Sequence, residues 1–594
     1  MTREIKPDFE RYLKTLHCEE PDRVPLGDWH VDPMVKEAFL GRKIQGVQDF
    51  IDFWHQAGFD YLTDSSGILE PVRAPEGMIS GREAAQTEYG IREREWAHEH
   101  EGIITDWDQF EQYPWPSVDD FDLSKWEIYD KVLPPGMKAV FLLGKIYTTV
   151  WMFMGAEVFF DALENNPKLV EAMFEKVGSI QYETFLRVIE HGCVGAVLNP
   201  DDIAHNTGLL VHPDHLRKYL YPWYKKMGAV CLDKGIGWIF HSDGDCSAAL
   251  DDLLDCHFHG FNPIQPNAMD IEVIKEQYRG RLCLIGNLNL DSTLTLGSPQ
   301  DVRAEVHERI RVCAPGGGYM VASSNSVTDY VPLENMKAMI EATFEFGRYP
   351  IALESGAVEG KVWSYLGKGE PEPHPGETIS TAGDLDLQPI VSGLLASDVD
   401  ALSAQVRQAL DRGMEINTVI QQGLVNAMTL IGDMFQQNKI YIPEMMLSAK
   451  AMAQTLDQFA DLIAGYSAQK AGRVVIGTVK GDLHDIGKNI VILMLQGQGF
   501  EVVDLGTNVT ADDFTARVQE HKPDILALSA LLTTTMTEMR STIDAIDEAG
   551  LRTAVKIIVG GAPVTQDFAR TIGADGYAYD APGAARLCRQ LLDA

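Results

Sequence analysis

The sequence predicts an α/β protein with an N-terminal (β/α)8 barrel, a helical bundle and a C-terminal doubly wound domain. The first observation behind this prediction is an alternation of short apolar runs, such as "KAVFLLG" and "IGWIFHSDG", with amphipathic helix patterns across residues 1–350. Strands that alternate with helices form parallel sheets, and a sheet built from so many repeats closes most simply as a (β/α)8 barrel. The polar residues that end each run are therefore expected at the carboxyl rim, where barrel active sites lie.

Two further observations divide the rest of the chain. Residues 351–386 are rich in Gly, Pro and Glu and have no sustained apolar period, which is typical of an extended linker. Residues 387–470 contain helix patterns and no convincing strand, and Pro443 suits the first turn of one helix, so this segment is predicted to be a small bundle. In residues 471–594, five apolar runs from "RVVIGTV" to "GYAY" alternate with helix patterns. They predict a five-stranded doubly wound sheet, whose ligands bind at the carboxyl ends of its strands.

Charge and composition exclude several classes of function. The chain carries 50 Lys and Arg against 87 Asp and Glu, a net charge of −37, whereas nucleic-acid binding normally needs a basic surface. Every apolar stretch is shorter than the ~18 residues of a membrane span, and the N-terminus, "MTREIKPDFERYLKTL", has no apolar signal core. The eight scattered cysteines indicate free thiols in a reducing compartment. We therefore expect a cytoplasmic protein with no nucleic-acid and no membrane partner.

The stretch "GTVKGDLHDIGKNI" looks at first like a phosphate loop, but its spacing excludes one. A phosphate loop has four residues between its glycines and a hydroxyl after its lysine. Here five residues separate Gly481 from Gly487, and an asparagine follows the lysine. His484 instead lies directly after the first predicted strand, and Asp482 is placed to accept its second ring N–H. A single histidine with open space around it suits a metal carried by a macrocycle better than a bare zinc ion.

The segment "DLHDIG" resembles the D-x-H-x-x-G signature of the corrinoid-binding domains of methionine synthase and of methyltransferase corrinoid proteins. The resemblance implies that His484 is the lower axial ligand of the cobalt in bound cobalamin, and that Asp482 supports this ligand. It also covers "GDMFQQNKIYIPEMMLSAKAM", which is similar to the helical cap over the corrin, although core packing explains Phe435, Met445 and Met446 equally well. The resemblance further implies that Gly487 of the histidine loop binds the cofactor, and that a set of downstream residues binds it around its nucleotide tail: Asp504, Gly506, Ser529, Leu531, Thr533, Gly560, Gly561 and Ala581.

Residues 1–350 resemble the uroporphyrinogen decarboxylase-like superfamily, in the branch that contains corrinoid-dependent methyltransferases. The resemblance rests on "EPDRVPLGDW", "FHSDGD", "GFNPIQPNAMDI" and "PGGGYMVASSNSVTDYVPLENM". Thiol-methylating members of this branch hold zinc with a His-x-Cys pair and a distant cysteine. This chain departs from that pattern, because it reads "HSD" at the pair and "SSN" at the distant position. Cys246 could approach a metal only if its loop turned back, so a thiolate-rich zinc site is not expected.

A site built from His241, Asp243 and one member of the Asp201/Asp202 pair remains, since all of these residues stand at the ends of predicted strands. His241 is then the candidate zinc ligand, and His241, Asp243 and Asp202 are the candidate catalytic residues. Hydrogen bonding of these side chains to substrate or water, without a metal, is an equal alternative. The loss of soft sulfur ligands favours a substrate oxygen over a thiol.

Together the resemblances imply a methyltransferase that moves a methyl group from a small donor to the cobalt of its own corrinoid. An alkoxide or phenoxide leaves poorly, so the barrel has to supply a Lewis acid or a proton. A methoxylated aromatic compound is the expected donor, which makes the reaction an O-demethylation. Two alternatives stay open, a chloromethane-dehalogenating methyltransferase and a corrinoid-dependent sensor.

The implied partners are a small methyl donor, a second methyltransferase or a tetrahydrofolate-type acceptor for the methyl group, and a reductive activator of cobalt. The sequence identifies none of them individually. It also leaves open whether the chain forms a homo-oligomer.

Overall fold

The chain divides into two units, Met1–Gly369 and Glu370–Ala594, and the division falls within the segment predicted as a linker. The computed structural model describes residues 6–65, 79–87, 90–97, 102–351, 360, 387–459, 462, 471–482, 486–531, 535–561 and 564–593. Apart from residues 351 and 360, the predicted linker 351–386 lies outside the described residues.

Parallel strands form the centre of the N-terminal unit. The strands described in this unit are β1 (Tyr61–Ser65), β2 (Ile79–Thr87), β3 (Gly90–Ala97), β4 (Lys138–Leu142), β5 (Val194–Pro200), β6 (Ala204–His205), β7 (Gly208–Leu209), β8 (Gly237–His241), β9 (Gly260–Asn262), β10 (Cys283–Leu288) and β11 (Tyr319–Ser323). Among them, seven strands pair in the order β1-β4-β5-β8-β9-β10-β11, every pair being parallel. The remaining four form two short antiparallel hairpins, β2-β3 and β6-β7.

The segment 24–31 takes the place of an eighth strand. It forms parallel bridges at Val321 of β11 and, beyond that strand, at Val327. On its other side, the Tyr61 hydroxyl of β1 donates to the backbone oxygen of Asp28 at 2.8 Å. The segment therefore lies between the last and the first strand and closes the sheet, which confirms the predicted (β/α)8 barrel with one irregular strand.

Helices cover the outside of this barrel and close the end at which its parallel strands begin. Strands β5, β8 and β11 are buried along their whole length, as expected for a parallel sheet with helices around it. At the amino ends of the strands, Leu16 packs against Gly237 of β8 and Gly260 of β9. Ligands are therefore expected at the opposite, carboxyl rim. The helices of this unit are Phe9–Leu16, Pro33–Leu40, Val47–Ala57, Trp107–Gln112, Val118–Asp120, Ser124–Val132, Tyr147–Met154, Ala156–Asn165, Pro167–Val188, Pro213–His215, Leu216–Leu220, Tyr221–Lys234, Ser247–Ala249, Leu250–Asp255, Ile271–Tyr278, Leu290–Leu294, Pro299–Cys313 and Leu333–Phe346.

The C-terminal unit contains a second parallel sheet. Its strands are β12 (Arg473–Thr478), β13 (Glu501–Asp504), β14 (Ile525–Ser529), β15 (Lys556–Gly560) and β16 (Gly576–Ala578). They pair in the order β13-β12-β14-β15-β16, in which the first strand of the unit lies between the second and the third. This is the flavodoxin-like order, and it confirms the predicted doubly wound sheet.

Helices precede the sheet of the C-terminal unit and flank it. Those that precede it are Leu387–Leu395, Val399–Asp411, Ile416–Thr418, Val419–Val425, Asn426–Gln436 and Ile442–Gln458. Those that alternate with the strands are Ile486–Gly497, Ala511–His521, Met536–Glu548, Gln566–Ile572 and Ala581–Asp593. No helix in the described ranges of the whole chain is long and apolar enough to cross a membrane.

The predicted bundle packs against the sheet domain through helix Asn426–Gln436. Gly432 of this helix leaves room for the side chain of Met494, which would lie 2.9 Å from a Cβ atom at that position. Gln436 donates to the carboxylate of Asp580 at 2.6 Å, just before the last helix of the unit. Side chains of the sheet domain that pack closely on Gly432, together with polar contacts, therefore hold the bundle on the sheet domain.

Candidate functional site

Three side chains meet at the carboxyl rim of the barrel. Strands β5, β8 and β9 run side by side, with Pro200 opposite His241 and His241 opposite Asn262. Because the carboxyl ends of parallel strands share one rim, the residues that follow β5 and β8 come close together. One ligand atom each from Asp202, His241 and Asp243 lies within 4.8 Å of the others. The structure thus brings together three residues that the sequence analysis named as candidates, and their roles stay predictions; we call this group the cluster.

Asp201 and Asp202, the adjacent pair from which Asp202 was named as the candidate, have different positions. The buried carboxylate of Asp201 accepts backbone N–H groups of residues 146–148, at 2.7 to 2.8 Å, at the start of helix Tyr147–Met154. It also accepts the Tyr224 hydroxyl at 2.6 Å. A carboxylate at a helix N-terminus accepts from the N–H groups that have no partner within the helix. Its negative charge also interacts favourably with the positive end of the helix dipole. Asp201 therefore stabilises the fold, and Asp202 is the member of the pair that joins the cluster.

His241 is held with one ring nitrogen fixed and the other directed to the cluster. Its Nδ1 lies 2.6 Å from Oδ1 of Asn262, whose Nδ2 donates to the backbone oxygen of Ile285 at 3.2 Å. Because the amide N–H group of Asn262 is engaged there, its oxygen has to accept, and Nδ1 of His241 carries the proton. Burial lowers the pKa of His241 below its ordinary value, although Asp202 opposes this. The neutral ring thus presents the lone pair of Nε2.

Asp202 is ionised by its surroundings. Its Oδ2 accepts from the Lys145 ammonium at 2.9 Å, and its Oδ1 accepts from the backbone N–H of Asp243 at 3.1 Å. Burial by itself would raise the pKa of Asp202, but the charge of Lys145, the nearby His241 and these hydrogen bonds outweigh burial and lower it to about 2. Asp202 is therefore a carboxylate throughout the physiological range.

Asp243 and an aromatic ring complete the rim. The Nδ2 atom of Asn325, beyond β11, donates to Oδ2 of Asp243 at 2.6 Å. The indole N–H of Trp29 donates to the backbone oxygen of the same Asn325 at 2.8 Å. The Trp29 ring centroid lies 4.7 Å from that of His241, at an interplanar angle of 61°. Asn325 thus connects the aromatic wall to the carboxylate.

Cys246 does not supply a ligand to this cluster. Its Sγ donates to the backbone oxygen of Asp243 at 3.9 Å, and burial raises the pKa of the thiol. In the part of the chain that the structure describes, the cluster contains one imidazole and two carboxylates. Such oxygen and nitrogen donors suit Zn²⁺, Fe²⁺ or Mn²⁺ in an open site.

The sequence reasoning missed four residues of this rim: Trp29, Lys145, Asn262 and Asn325. Each of them follows an apolar run or a predicted strand, so the position of a polar or aromatic residue at a strand end was the available signal. The sequence gives no distance between them, because each lies on a different strand end.

A second group of predicted residues lies at the carboxyl edge of the C-terminal sheet. Asp482 follows β12 and is fully buried, and its Oδ2 accepts from the Leu531 backbone N–H at 2.6 Å and from the Thr535 hydroxyl at 2.7 Å. These contacts fix the carboxylate between two loops. The predicted axial ligand His484 and the predicted contact Thr533 lie outside the described residues.

Two glycines at this edge have different surroundings. At Gly561, φ is +131° and a Cβ atom would lie 1.8 Å from the backbone oxygen of Ala530, so the backbones approach too closely for any side chain. At Gly487, apart from its chain neighbours and its own helix backbone, no atom of the described residues lies within 4 Å of the position of a Cβ atom. Packing within the protein therefore explains the glycine at 561, whereas among the described residues no packing contact requires one at 487, at the start of helix Ile486–Gly497.

The other predicted cofactor residues are spread along the same edge. Ser529 and Gly560 end β14 and β15 opposite each other, Gly506 follows β13, and Ala581 begins the last helix. Both carboxylate oxygens of Asp504 accept from the buried Lys488 ammonium at 2.7 Å, so this carboxylate has a partner within the protein.

Large apolar side chains are exposed at this edge, whereas the bundle residues that the sequence singled out are mostly buried. Leu531 and Tyr579 are 42% and 50% exposed. In the bundle, Phe435 and Met445 are buried and Met446 is half-buried. Packing in the protein core accounts for the first two of these bundle residues, while the exposed pair leaves apolar surface at the sheet edge for a large ligand.

Known families match three parts of the chain. Residues 387–459 and residues 472–586 each match a B12 binding domain, and residues 131–346 match uroporphyrinogen decarboxylase (URO-D). Dimethylamine corrinoid protein 1 of Methanosarcina acetivorans is 40% identical over 207 residues, which cover 35% of this chain and 97% of that protein. Dimethylamine corrinoid protein 2 of Methanosarcina mazei is also 40% identical over 207 residues, covering 35% and 96%. Among solved structures, a methyltransferase from Methanosarcina mazei is similar with a TM-score of 0.42 at 19% identity, covering 57% of this chain and 99% of that one.

Proposed function

Because the chain belongs to the family of corrinoid proteins, we propose that its N-terminal barrel transfers a methyl group from an O-methylated donor to a corrinoid on the same chain. Both resemblances inferred from the sequence are confirmed. The chain is a corrinoid-dependent methyltransferase, and cobalamin is its cofactor. The donor class and the roles of individual residues are the proposal.

The residues at the edge of the C-terminal sheet fit a corrinoid. At Gly487 no described side chain packs within 4 Å of the position of a Cβ atom, which is consistent with room for a ligand there, and the exposed Leu531 and Tyr579 offer apolar surface. We propose that His484 would hold the cobalt of the corrinoid and that Asp482, fixed by its two donors, would orient the imidazole. When bound, the corrinoid supplies a cobalt centre that accepts the methyl group.

The observation that carries the proposed barrel chemistry is that a neighbour outside the cluster holds each cluster residue. These neighbours are Lys145 for Asp202, Asn262 for His241 and Asn325 for Asp243. Metal-ligating side chains are characteristically fixed in this way, since an oriented ligand loses less freedom when the metal binds. The arrangement supports a divalent cation at the cluster, bound by three protein ligands with an open position for the substrate.

Charge explains why a cation would assist an oxygen leaving group. Without a metal, the carboxylates of Asp202 and Asp243 outweigh the ammonium of Lys145, and a negative site repels an oxygen that gains negative charge. A divalent cation would make the site positive. When the bond between the methyl carbon and the oxygen breaks and the methyl group is transferred, the electron pair stays on oxygen, where Lys145 and a cation held by the cluster would stabilise it.

The state of His241 limits its role. Its proton is on Nδ1 and is donated to Asn262, and its lowered pKa keeps the ring neutral. Nε2 can therefore bind a cation but has no proton to give to the leaving oxygen. This favours the Lewis-acid alternative over proton donation by His241, and it leaves the half-exposed Lys145 ammonium, which pairs with Asp202, as a charged N–H donor at the cluster.

A methylammonium compound is a second candidate donor. Without a metal the cluster is negative, and the Trp29 ring beside it could contact a cationic nitrogen. The corrinoid relatives carry dimethylamine in their names, which is consistent with this alternative. The metal content therefore discriminates the two donor classes. The chloromethane alternative has less support, because the described cluster lacks the cysteines of the His-x-Cys pattern.

Metal removal tests the proposed chemistry. We expect the purified chain to contain about one divalent ion at the barrel site, since three fixed ligands surround one open position. Treatment with a chelator should abolish transfer from 2-methoxyphenol, and Zn²⁺ or Mn²⁺ should restore it, while corrinoid content stays constant. Full transfer by metal-free protein, or transfer from trimethylamine in place of 2-methoxyphenol, would reject the metal-assisted O-demethylation.

The axial ligand has its own test in the electron paramagnetic resonance spectrum of the oxidised, cobalt(II) form. We expect nitrogen splitting from His484 in the wild-type chain and its disappearance in His484→Ala. Asp482→Asn should retain the corrinoid and change the splitting only slightly, because the amide oxygen can still accept from the imidazole. Splitting that persists unchanged in His484→Ala would assign the ligand to another group.

We further propose that the methyl group passes on to a second methyltransferase or a tetrahydrofolate-type acceptor, and that a separate reductive activator restores the cobalt. Both follow from the chemistry of corrinoid methyl transfer, which needs an acceptor and a reduced metal in each cycle.

A further inference from the structure

The barrel rim carries an aromatic side chain whose position suits contact with a substrate. Trp29 belongs to the segment 24–31 that replaces the eighth strand, and its ring lies beside His241, one of the three cluster residues. The side chain is partly exposed. Apolar surface next to a polar reacting centre is typical of the wall of a small-molecule site.

Two hydrogen bonds hold Trp29 in place, one from its indole N–H and one to its backbone oxygen. The indole N–H donates to the backbone oxygen of Asn325 at 2.8 Å, and the backbone oxygen of Trp29 accepts the Thr63 hydroxyl at 2.5 Å. The His30 ring lies 5.6 Å from the indole, centroid to centroid, on the neighbouring residue. A ring fixed in this way loses little freedom when a ligand contacts it, so contact with it contributes efficiently to affinity.

We propose that Trp29 is a specificity-determining residue that contacts the aromatic ring of the methyl donor and selects aryl methyl ethers over alkyl ones. The proposal rests on the proposed O-demethylation and narrows its substrate class. A donor whose methoxy oxygen is at the cluster would place its other substituent at the neighbouring wall, where Trp29 lies. Two aromatic rings in offset or edge-to-face contact attract each other more strongly than their buried area alone predicts. An alicyclic ring of the same size buries a similar area but lacks this additional attraction.

A structural role for Trp29 predicts a different pattern. The indole N–H holds Asn325, and Asn325 donates to Asp243, so loss of the N–H could disturb the cluster itself. Phenylalanine and leucine both remove this N–H, but only phenylalanine keeps an aromatic ring. Comparison of Trp29→Phe with Trp29→Leu therefore separates ring contact from support of Asn325.

The experiment measures binding to the full chain with its corrinoid oxidised, so that no methyl transfer takes place. The two ligands are methoxybenzene and methoxycyclohexane, which share the methoxy group and differ in the ring. In Trp29→Leu we expect methoxybenzene to bind about tenfold more weakly, and methoxycyclohexane to change less than twofold. Trp29→Phe should keep most of the preference for methoxybenzene. Metal content is recorded for each variant, as a check on the cluster.

Two results would overturn this assignment. If Trp29→Phe and Trp29→Leu weaken both ligands equally, the indole acts only through Asn325; if neither variant changes the preference, the ring does not contact the ligand. If Trp29→Leu does not fold, a nuclear Overhauser effect between methoxybenzene and the Trp29 indole is measured instead. We expect this effect in the wild-type chain and not in Trp29→Phe. Its absence from the wild-type chain would reject the contact.

The binding experiment tests the Trp29 contact and the metal experiment tests the proposed reaction, so either proposal can be rejected without the other. A retained preference for methoxybenzene without any demethylation would reject the proposed reaction and leave the Trp29 contact intact. Demethylation that proceeds with equal selectivity in wild type and Trp29→Leu would reject the Trp29 contact and leave the reaction intact.

Discussion

Replacement of His241 by alanine is expected to slow methyl transfer from an O-methyl donor about a hundredfold or more, while corrinoid content stays unchanged. The imidazole supplies the nitrogen ligand of the proposed cation, and removal of one interaction that stabilises a developing oxyanion costs roughly 3 to 4 kcal/mol. Asp243→Asn should have a similar effect, because it removes one negative ligand and retains the shape of the side chain. Both variants should lose bound metal on elemental analysis.

A histidine elsewhere in the same unit is the matched control for this prediction. His191 pairs with Asp130 at 2.8 Å and does not belong to the cluster, so His191→Ala should retain metal and rate. Demethylation at the wild-type rate by both His241→Ala and Asp243→Asn would show that the active site lies elsewhere.

A leucine in place of Gly487 is expected to abolish corrinoid binding without unfolding the C-terminal unit. Apart from its chain neighbours and its own helix backbone, no atom of the described residues lies within 4 Å of the position of a Cβ atom there, and the residue is near the start of helix Ile486–Gly497, where a larger side chain is compatible with the backbone. The leucine would fill the space that we assign to the cofactor. A loss of only ~1.4 kcal/mol of binding free energy weakens the affinity for the corrinoid tenfold, so we expect corrinoid content to drop about tenfold or more. Corrinoid content and thermal unfolding are measured on the same preparation.

The other glycine of this edge provides the contrast. Gly561→Ala places a Cβ atom 1.8 Å from the backbone oxygen of Ala530, at a φ of +131°. It should therefore lower the unfolding temperature as well as cofactor content, whereas Gly487→Leu should lower cofactor content alone. Full corrinoid content in Gly487→Leu would exclude the open space as part of the cofactor site.

The fold was largely predictable because strand and helix periods are local properties of the sequence. The alternation in residues 1–350 predicted the barrel, and five apolar runs after residue 471 predicted the doubly wound sheet, as confirmed. The exception is the segment 24–31, which closes the barrel through isolated bridges and hydrogen bonds from β1. Such irregular pairing leaves no period-two pattern, so only the neighbouring strands reveal its place.

The candidate barrel site was predictable in part. His241 and Asp243 stand on either side of one serine at a strand end, and a local pattern of this kind can be read from the sequence. The choice between Asp201 and Asp202 could not be read in this way, because adjacent residues differ only in the direction of their side chains. Backbone N–H groups at the start of the helix that begins at Tyr147 donate to Asp201, and the Lys145 ammonium pairs with Asp202.

The supporting residues could not be found from the sequence because closure of the barrel brings them together. Asn262 follows His241 by 21 positions, and Trp29 and Asn325 are separated by 296 positions. Hydrogen bonds over such separations depend on the register of the strands and on the curvature of the sheet. For the cofactor residues, the contact of Asp482 with Thr535 has the same origin, while the assignments to His484 and Thr533 stay predictions.

Single-turnover absorbance spectroscopy of the reduced full chain tests most directly whether the barrel delivers a methyl group from oxygen to the corrinoid of the same chain. On addition of 2-methoxyphenol, we expect the corrinoid spectrum to change and catechol to appear in proportion to the corrinoid present, with no comparable change in Asp243→Asn. An unchanged corrinoid spectrum with 2-methoxyphenol, together with a full change on addition of a methylamine, would contradict the assignment of an oxygen-bound methyl group as the substrate.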